Sequence, residues 1–468
     1  MTIWVDVTDL MRWTRPQVTG IQRILTAILV PLTRGAEDVR LVHVNQRGFA
    51  PTELSALPEV LKSSCHLAGH IAESDGERQT SVAAADARRR SGIRFRPLDW
   101  LTRSAPQRAK RAVDEYRRAA KELRRALLAW AFDGGEQAAR SDEDAANLAD
   151  HPFSAGDALL VFGANWGDPA YDQALRWAKS KAGVRLASLV CDLIPTLHPE
   201  WVTEDVRDKF TSFIRGRLSL SDMVLTISQF SKSEILRYCA ETGLSIKDVG
   251  VIRLGDELIG DANPAAPPRF IPDEPFVLCV STIELRKNHH CLYVAWKKLV
   301  DELGDACPDL VLVGTPYLFA ENLVHQIKND PSVKDRIHIV SDAPDSELVW
   351  YYSHCLFTVY PSLYEGWGIP VAESLSHGRY CIASNAGSVV ELGGPLVDYF
   401  DPLDPMMCRK LIARAVREPD YVAARERMIR ERHKPHSWAA TADQVLSLVK
   451  TALKPQPQEL ETRAIEER

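Results

Sequence analysis

The sequence lacks several features that would place the protein in a particular class. Its 468 residues contain no run approaching 18 uncharged apolar residues, so no transmembrane helix is predicted. The N-terminus carries acidic residues among its apolar ones and no positively charged segment, so no secretory signal peptide is predicted either. Lysine and arginine (57) are fewer than aspartate and glutamate (63), giving a net charge of -6. The composition therefore gives no indication of nucleic-acid binding.

Cysteine is present but not arranged for metal or redox chemistry. None of the nine cysteines forms the C-x-x-C spacing that zinc sites and redox-active dithiols commonly use. An odd number without a secretory signal is typical of a reducing compartment. We therefore expect a protein of the cytoplasm or of the inner face of the membrane. The apolar fraction of 45% and the charged fraction of 26% exclude a largely disordered chain.

Short β-branched apolar runs alternate with helical patterns along most of the chain. This alternation predicts an α/β fold with two Rossmann-like, doubly wound domains. Residues 255–275 contain five prolines in 21 residues, which is typical of a linker. We therefore predict an N-terminal domain at 1–255, a C-terminal domain at 256–453 and a disordered tail at 454–468. The twelve predicted strands are Ile3–Val7, Arg40–Asn45, Ala158–Gly163, Arg185–Val190, Met223–Ser228, Val249–Arg253, Phe276–Val280, Leu310–Gly314, Ile337–Ser341, Phe357–Tyr360, Tyr380–Ser384 and Val397–Phe400.

An insert at about 50–150 departs from this alternation. Residues 88–125 hold fourteen arginines or lysines against four acidic residues, and an apolar stripe that includes Leu123, Leu127 and Trp130 runs among them. This pattern indicates a basic amphipathic helix. Such a helix can be the solvated face of an inserted hairpin, can attach to anionic lipid, or can contact nucleic acid.

The most informative segment is YPSLYEGWGIPVAESLSHG, residues 360–378. A predicted strand leads into a loop with Glu365, and a short helix then begins with Glu373 in its first turn. The free amides of such a helix suit a phosphate. Taken alone, Glu373 could complement the helix dipole and Glu365 could be a solvated acid. The residues between them include Gly366, Trp367, Gly368, Ile369 and Pro370.

Glu365 and Glu373 resemble the E-x7-E motif of retaining glycosyltransferase family 4, which has the GT-B fold. The resemblance implies that Glu365 lies at the donor sugar and that Glu373 hydrogen-bonds the nucleotide ribose. The intervening backbone amides would hold the sugar and the phosphates. The resemblance covers roughly residues 1–50 and 155–450, and the insert lies outside it.

A second segment, VSTIELRKN at residues 280–288, places Arg286 and Lys287 between a predicted strand and a helix. Adjacent basic residues are often merely solvated, but here they can neutralise a diphosphate. The segment is similar to the family's G-T-x-E-x-R-K-N donor loop, with Ser281 in place of glycine. This implies that Lys287 carries the leaving-group charge and that Thr282 lies at the donor. Many members have Gly-Arg at Ser281 and Thr282, so the second cation is expected from Arg286.

Two segments of the N-terminal part complete the resemblance. PQVTGIQRI resembles the family's T-G-I-x-R loop, which assigns Gly20 to the donor phosphates, while Arg23 either reaches the cleft or covers the helix surface. LVCDLIPTLHPEW resembles a segment that usually reads His-Asp-Leu-Ile-Pro, with Cys191 here in place of the histidine. Asp192 is then a candidate for binding or deprotonating the acceptor. We assign no chemistry to Cys191 and expect His198 to be structural.

The resemblance implies a hexosyltransferase that moves a sugar from a nucleotide diphosphate (NDP)-sugar to a glycan or lipid-linked acceptor with retention. It implies surface polysaccharide or O-antigen synthesis, no metal, and no cofactor beyond the donor. It also implies that the last helix crosses back to the first domain. Expected partners are the donor, the acceptor and an anionic membrane surface, without nucleic acid. The alternatives are a UDP-sugar 2-epimerase on the same fold and a non-catalytic sugar-nucleotide-binding scaffold.

Overall fold

Two β-sheets organise the part of the chain that the structure describes; the first is parallel except at one edge strand, and the second is parallel throughout. The first has seven strands in the order β3-β2-β1-β4-β5-β6-β7, and the second has six in the order β10-β9-β8-β11-β12-β13. The strands are β1 Ile3–Asp6, β2 Val39–Asn45, β3 Gly48–Thr52, β4 Ala158–Val161, β5 Arg185–Leu189, β6 Met223–Thr226, β7 Val249–Val251, β8 Phe276–Val280, β9 Asp309–Val313, β10 Ile337–Val340, β11 Thr358–Tyr360, β12 Cys381–Ser384 and β13 Asp398–Phe400.

The computed structural model describes residues 1–14, 20–34, 38–45, 47–59, 61, 151–258 and 267–453. The predictions for the basic segment 88–125 and for the tail 454–468 fall outside these residues. Among the described residues, no helix is long and apolar enough to cross a membrane. The helices are Thr8–Met11, Gly20–Arg34, Pro169–Ser180, Ile194–Leu197, Glu204–Leu220, Gln229–Thr242, His289–Leu303, Glu321–Asn329, Asp345–His354, Ile369–Ser376, Val389–Gly393, Pro405–Arg417, Pro419–Arg432 and Trp438–Ala452.

Each sheet has a point where the strand order reverses. In the first sheet β1 pairs in parallel with both β2 and β4, and in the second β8 pairs in parallel with both β9 and β11. The connections on either side of such a point diverge and leave a crevice at the carboxyl ends of the strands. The loops that follow β8 and β11 carry the predicted donor-site residues, so the second sheet brings these loops to its crevice.

Both faces of the first sheet are buried, as expected for parallel strands covered by helices. Val5 packs with Ile28 of the helix Gly20–Arg34 on one face, whereas the neighbouring Trp4 packs with Tyr171 and Leu175 on the other. The last helix, Trp438–Ala452, follows the second sheet in the chain, yet its buried side chains join the core cluster that contains Val5.

The predicted α/β architecture with two doubly wound sheets is confirmed. All twelve predicted strands are present, with ends displaced by no more than two residues. The edge strand β3 was not predicted, and it pairs antiparallel with β2. Its five residues include Pro51, and proline inside a run argues against a strand except at a sheet edge.

Candidate active site

Glu365 lies at the centre of a buried group of charged side chains. It follows β11 in the chain, and only 6% of its surface is exposed. Its Oε1 accepts hydrogen bonds from Lys287 Nζ at 2.6 Å and from the Tyr360 hydroxyl at 2.8 Å. Its Oε2 is 2.8 Å from Nη1 of Arg286. The fold therefore joins the three residues predicted to act on the donor, although Lys287 and Glu365 are 78 residues apart in sequence.

Asn288 fixes the Arg286–Lys287 loop against the Glu365 loop. It has φ = 56°, in the left-handed region, and it directly precedes the helix His289–Leu303. Its side-chain amide donates to the carbonyls of Pro361 at 3.0 Å and Pro402 at 2.9 Å. Asn288 ends the segment VSTIELRKN, and no role was predicted for it from the sequence. Asparagine tolerates the left-handed region better than most residues, which was the signal available in the sequence.

The charges around Glu365 determine its protonation state. Burial alone would raise the pKa of Glu365, but the adjacent Arg286 and Lys287 outweigh it and lower the pKa to about 2. Burial, together with the neighbouring Arg286, lowers the pKa of Lys287. Glu365 is therefore ionised throughout the physiological pH range, while two cationic side chains lie within hydrogen-bonding distance of it.

The glycine-rich loop between the two glutamates is held from behind by Ser388. The Ser388 hydroxyl donates to the carbonyls of Glu365 at 3.1 Å and Trp367 at 3.0 Å. Gly368 has φ = 105° and directly precedes the helix Ile369–Ser376, in which Pro370 occupies the first turn. The side chain of Trp367 is buried in the core cluster of the first sheet. The loop thus presents a helix N-terminus in the second domain while Trp367 anchors it to the first.

Glu373 is buried between the two domains. Only 1% of its surface is exposed, and its Oε2 accepts a hydrogen bond from the Tyr352 hydroxyl at 2.9 Å. Its Oε1 is 3.1 Å from Nη2 of Arg23, which also lies 3.4 Å from Oδ2 of Asp345. Arg23 extends from the helix Gly20–Arg34, so it reaches the cleft and does not merely cover its own helix. Burial raises the pKa of Glu373, and Arg23 opposes that rise.

The position of Glu373 differs from the prediction in one respect. We expected it in the first turn of its helix, but the helix begins at Ile369 and Glu373 is the fifth residue. Its carboxylate therefore lies beyond the free amides of the first turn, and its partners are Arg23 and Tyr352 instead. A role in complementing the helix dipole does not account for it, since that effect falls off within the first turn.

Asp192 approaches the donor-site loop from the other domain. It follows β5, and its Oδ1 accepts a hydrogen bond from the amide of Ile194 at 3.0 Å. A Cβ atom at Gly366 would lie 3.0 Å from Cβ of Asp192 and 3.1 Å from the carbonyl oxygen of Cys191. Burial raises the pKa of Asp192, with Arg286 opposing, and burial likewise raises the pKa of the Cys191 thiol. The two loops therefore meet at Gly366, and Cys191 contributes a neutral thiol.

Two residues assigned to the donor make no contact with this group of charges. Thr282 is exposed, and its side chain forms no hydrogen bond within the described residues. Gly20 begins its helix, and a Cβ atom there would have no neighbour within 4 Å. Its preceding residues 16–19 lie outside the part of the chain that the structure describes. Among the described residues, no group of three or more His, Cys, Asp or Glu side chains is arranged to hold a metal ion.

The arrangement suits a ligand that carries both a phosphate and a sugar. Lys287 and Arg286 supply positive charge, and the helix that begins at Ile369 supplies free amides. Glu365 supplies a fixed negative charge at the same place. Tyr360, Tyr352 and Arg23 were not assigned to the site from the sequence, although each of them holds one of the two glutamates.

Known proteins resemble the chain in sequence. Residues 265–448 match the family model described as Glycosyl transferases group 1. The serotype-specific mannosyltransferase WbdA of Escherichia coli is 26% identical over 265 residues, which cover 54% of this chain and 32% of that protein. The O-antigen chain mannosyltransferase B of Escherichia coli is 28% identical over 217 residues, which cover 44% of this chain and 54% of that protein. The chain thus spans about one third and about half of these relatives, respectively.

A solved structure resembles the chain over nearly its whole length. The crystal structure of Alr3699/HepE from Anabaena, in complex with UDP, has a TM-score of 0.51 and 13% sequence identity. The likeness covers 96% of this chain and 100% of that one. It confirms the predicted fold class, GT-B. In sequence, residues 265–448 resemble the glycosyl transferases group 1, while the likeness over nearly the whole chain concerns the fold.

Proposed function

We propose that the protein transfers a sugar from an NDP-sugar to a hydroxyl group of a glycan or lipid-linked acceptor. The observation that carries this proposal is the ionised Glu365 held by Lys287 and Arg286 beside the N-terminus of the helix Ile369–Ser376. The names of two relatives add support, since both are mannosyltransferases and one acts on an O-antigen chain. The UDP in the Anabaena structure supports a nucleotide-linked donor.

The proposed reaction retains the anomeric configuration. The bond between the anomeric carbon and the diphosphate oxygen breaks, and Lys287, Arg286 and the helix amides stabilise the departing negative charge. Glu365 then faces a sugar that develops oxocarbenium character. The acceptor oxygen bonds to the same face of the anomeric carbon, and its proton passes to the departing diphosphate or to Asp192. No carboxylate nucleophile is needed in this sequence of events.

Glu373 would bind the ribose of the donor nucleotide. Its position supports this role, because it lies on the helix that follows the glycine-rich loop and its carboxylate points to Tyr352 and Arg23 at the interface of the two domains. Asp192 would bind or deprotonate the acceptor. It belongs to the first domain and lies against Gly366 of the loop between Glu365 and Glu373, which supports a role next to the proposed donor.

The proposal is tested with a panel of UDP- and GDP-sugars, mannose donors included, incubated with and without pyranoside acceptors. Release of NDP together with a glycosylated product is the expected result. An isomerised NDP-sugar would indicate the epimerase, and neither release nor isomerisation would indicate a binding scaffold. We also propose that no divalent metal is required, so equal turnover with and without EDTA is expected. A loss of turnover in EDTA that magnesium restores would contradict metal independence.

We further propose that the insert attaches the protein to anionic membranes. Each basic residue near such a surface contributes about 1 kcal/mol, so the excess within residues 88–125 supports reversible, salt-sensitive binding. The protein should co-sediment with vesicles containing phosphatidylglycerol at low salt but not at high salt. Failure to bind these vesicles at low salt would contradict the proposal. Binding should be abolished when glutamate replaces four arginines together, namely Arg117, Arg118, Arg124 and Arg125.

A further inference from the structure

Four aromatic side chains from both domains meet beside Glu365. The rings of His198 and Trp201 are stacked, with centroids 4.2 Å apart and an angle of 16°. The ring of Tyr364, the residue before Glu365, lies 4.5 Å from that of His198, and the ring of Phe230 lies 5.3 Å from that of Tyr364. We refer to His198, Trp201, Phe230 and Tyr364 as the aromatic platform.

The aromatic platform is not part of a buried core. All four of its residues are partly exposed, and none belongs to a core cluster of either sheet. Aromatic rings at a partly exposed position present an apolar face beside a polar edge. The platform therefore has the character of a contact surface for a ligand.

Carboxylates line the edge of the platform. The Tyr364 hydroxyl donates to Oε2 of Glu234 at 3.0 Å, and Nδ1 of His198 lies 3.2 Å from Oε1 of Glu200. A pyranose ring has an apolar face of C–H groups and a rim of hydroxyl groups. Aromatic rings pack against the C–H face, and carboxylates accept hydrogen bonds from the hydroxyl groups. Small-molecule sites commonly combine apolar surfaces with a few polar groups in this way.

The aromatic platform is also next to the residues proposed for the reaction. Nη1 of Arg286 donates to the carbonyl of Tyr364 at 2.9 Å, and the same guanidinium nitrogen lies 2.8 Å from Glu365. Asp192 precedes His198 in the same segment of the chain. The pKa of Tyr364 is raised mainly by burial and by the adjacent Glu234, and the charge of Asp192 adds to this rise. A ligand on the platform thus lies close to both Glu365 and Asp192.

We propose that the aromatic platform binds a pyranose ring of the acceptor and directs one of its hydroxyl groups toward Asp192 and Glu365. Trp201 supplies the largest aromatic face, and Glu234 and Glu200 accept hydrogen bonds from the ring hydroxyls. The inference rests on the proposed sugar transfer and specifies the acceptor side of that same site. It also gives His198, which we expected to be structural from the sequence, a place in the acceptor site.

The test compares Trp201→Leu, which removes the aromatic face, with Trp201→Phe, which keeps one. The acceptors are octyl glycosides of mannose, glucose, galactose, rhamnose and N-acetylglucosamine. Loss of one stacking contact should raise KM for the acceptor about 10-fold in Trp201→Leu and less in Trp201→Phe. NDP affinity, which depends on the donor side of the site, should remain at the wild-type level in both. Trp177→Leu is the matched control, since Trp177 also contacts a histidine, His151, but lies outside the platform.

The outcomes separate this inference from the proposed function. If wild type neither hydrolyses nor transfers from any NDP-sugar, the proposed function fails and the platform fails with it. If wild type hydrolyses NDP-sugar but glycosylates none of the octyl glycosides, the pyranose assignment is wrong. If Trp201→Leu keeps the wild-type KM for the acceptor, or loses NDP affinity to the same extent, the platform serves domain packing and the inference is overturned.

Discussion

Replacing Lys287 with methionine removes one positive charge from the proposed donor site while keeping the length of the side chain. In the wild type, Nζ of Lys287 donates to Oε1 of Glu365 at 2.6 Å and to the hydroxyl of Tyr360 at 2.9 Å. The variant leaves Glu365 with Arg286 and Tyr360 as partners. The structure therefore predicts a folded protein whose donor site has lost half of its positive charge.

The size of the loss in turnover follows from the role proposed for the missing positive charge. Loss of one preorganised contact to a developing negative charge costs roughly 3–4 kcal/mol, or two to three decades in turnover. The loss of folding stability should be smaller, about 1–3 kcal/mol, because Glu365 loses one hydrogen-bonding partner but retains two others. Catalysis and stability should therefore be affected to clearly different extents.

The assay measures NDP release at saturating donor, with urea unfolding of the same preparations. Lys297→Met is the matched control, since Lys297 also forms a short ion pair, 2.6 Å to Asp330, but lies on the helix surface. It should keep wild-type turnover. A folded Lys287→Met protein whose turnover stays within tenfold of the wild type would refute the assignment of Lys287 to the leaving group.

The remaining predictions concern the two glutamates and Arg23. Glu373→Gln should mainly weaken NDP binding, measured by titration with NDP, and Glu365→Gln should mainly lower turnover, measured from steady-state rates. The reverse pattern would mean that the roles of the two glutamates are exchanged. Because the pKa of Glu365 is lowered to about 2 from an ordinary 4.5, its ionised form adds about 3 kcal/mol of stability at pH 7. Urea unfolding should show this advantage over Glu365→Gln disappearing between pH 4.5 and 2, and a constant difference would contradict it. Arg23→Gln should raise the pKa of Glu373 further above its ordinary value. The variant should therefore lose the most folding stability, relative to the wild type, at pH 7, and this loss should shrink toward pH 4.5. A loss of stability that does not depend on pH would argue against the ion pair.

The fold was largely predictable because buried parallel strands leave a clear pattern of apolar, β-branched residues. Phe276–Val280 matched its strand at both ends, since its side chains are apolar throughout and a parallel strand is covered on both faces. Strand ends were less accurate because the last residues of a run often belong to the loop, as Gly163 does. The edge strand β3 carries Pro51 and has little apolar alternation, so its pairing with β2 comes from tertiary context.

The candidate site was predictable in its charged residues but not in their partners. The resemblance identified Glu365 and Lys287, and the fold places them within 2.6 Å of each other. The pairing of Arg23 with Glu373 could not be read from the helical pattern, because it depends on how the two domains are placed. The role of Tyr360 could not be predicted for a similar reason. A tyrosine at the end of a buried strand is common, and only the structure shows that its hydroxyl donates to Glu365.

The most direct test of sugar transfer with retention is the anomeric configuration of the product. Wild-type protein is incubated with an α-linked NDP-sugar and an octyl glycoside, and the new linkage is identified from the coupling of its anomeric carbon and proton in NMR spectra. The proposed reaction predicts an α-linked product in the wild type and at most a trace of it in Lys287→Met. A β-linked product would contradict retention, and an isomerised NDP-sugar without any glycoside would contradict the transfer itself.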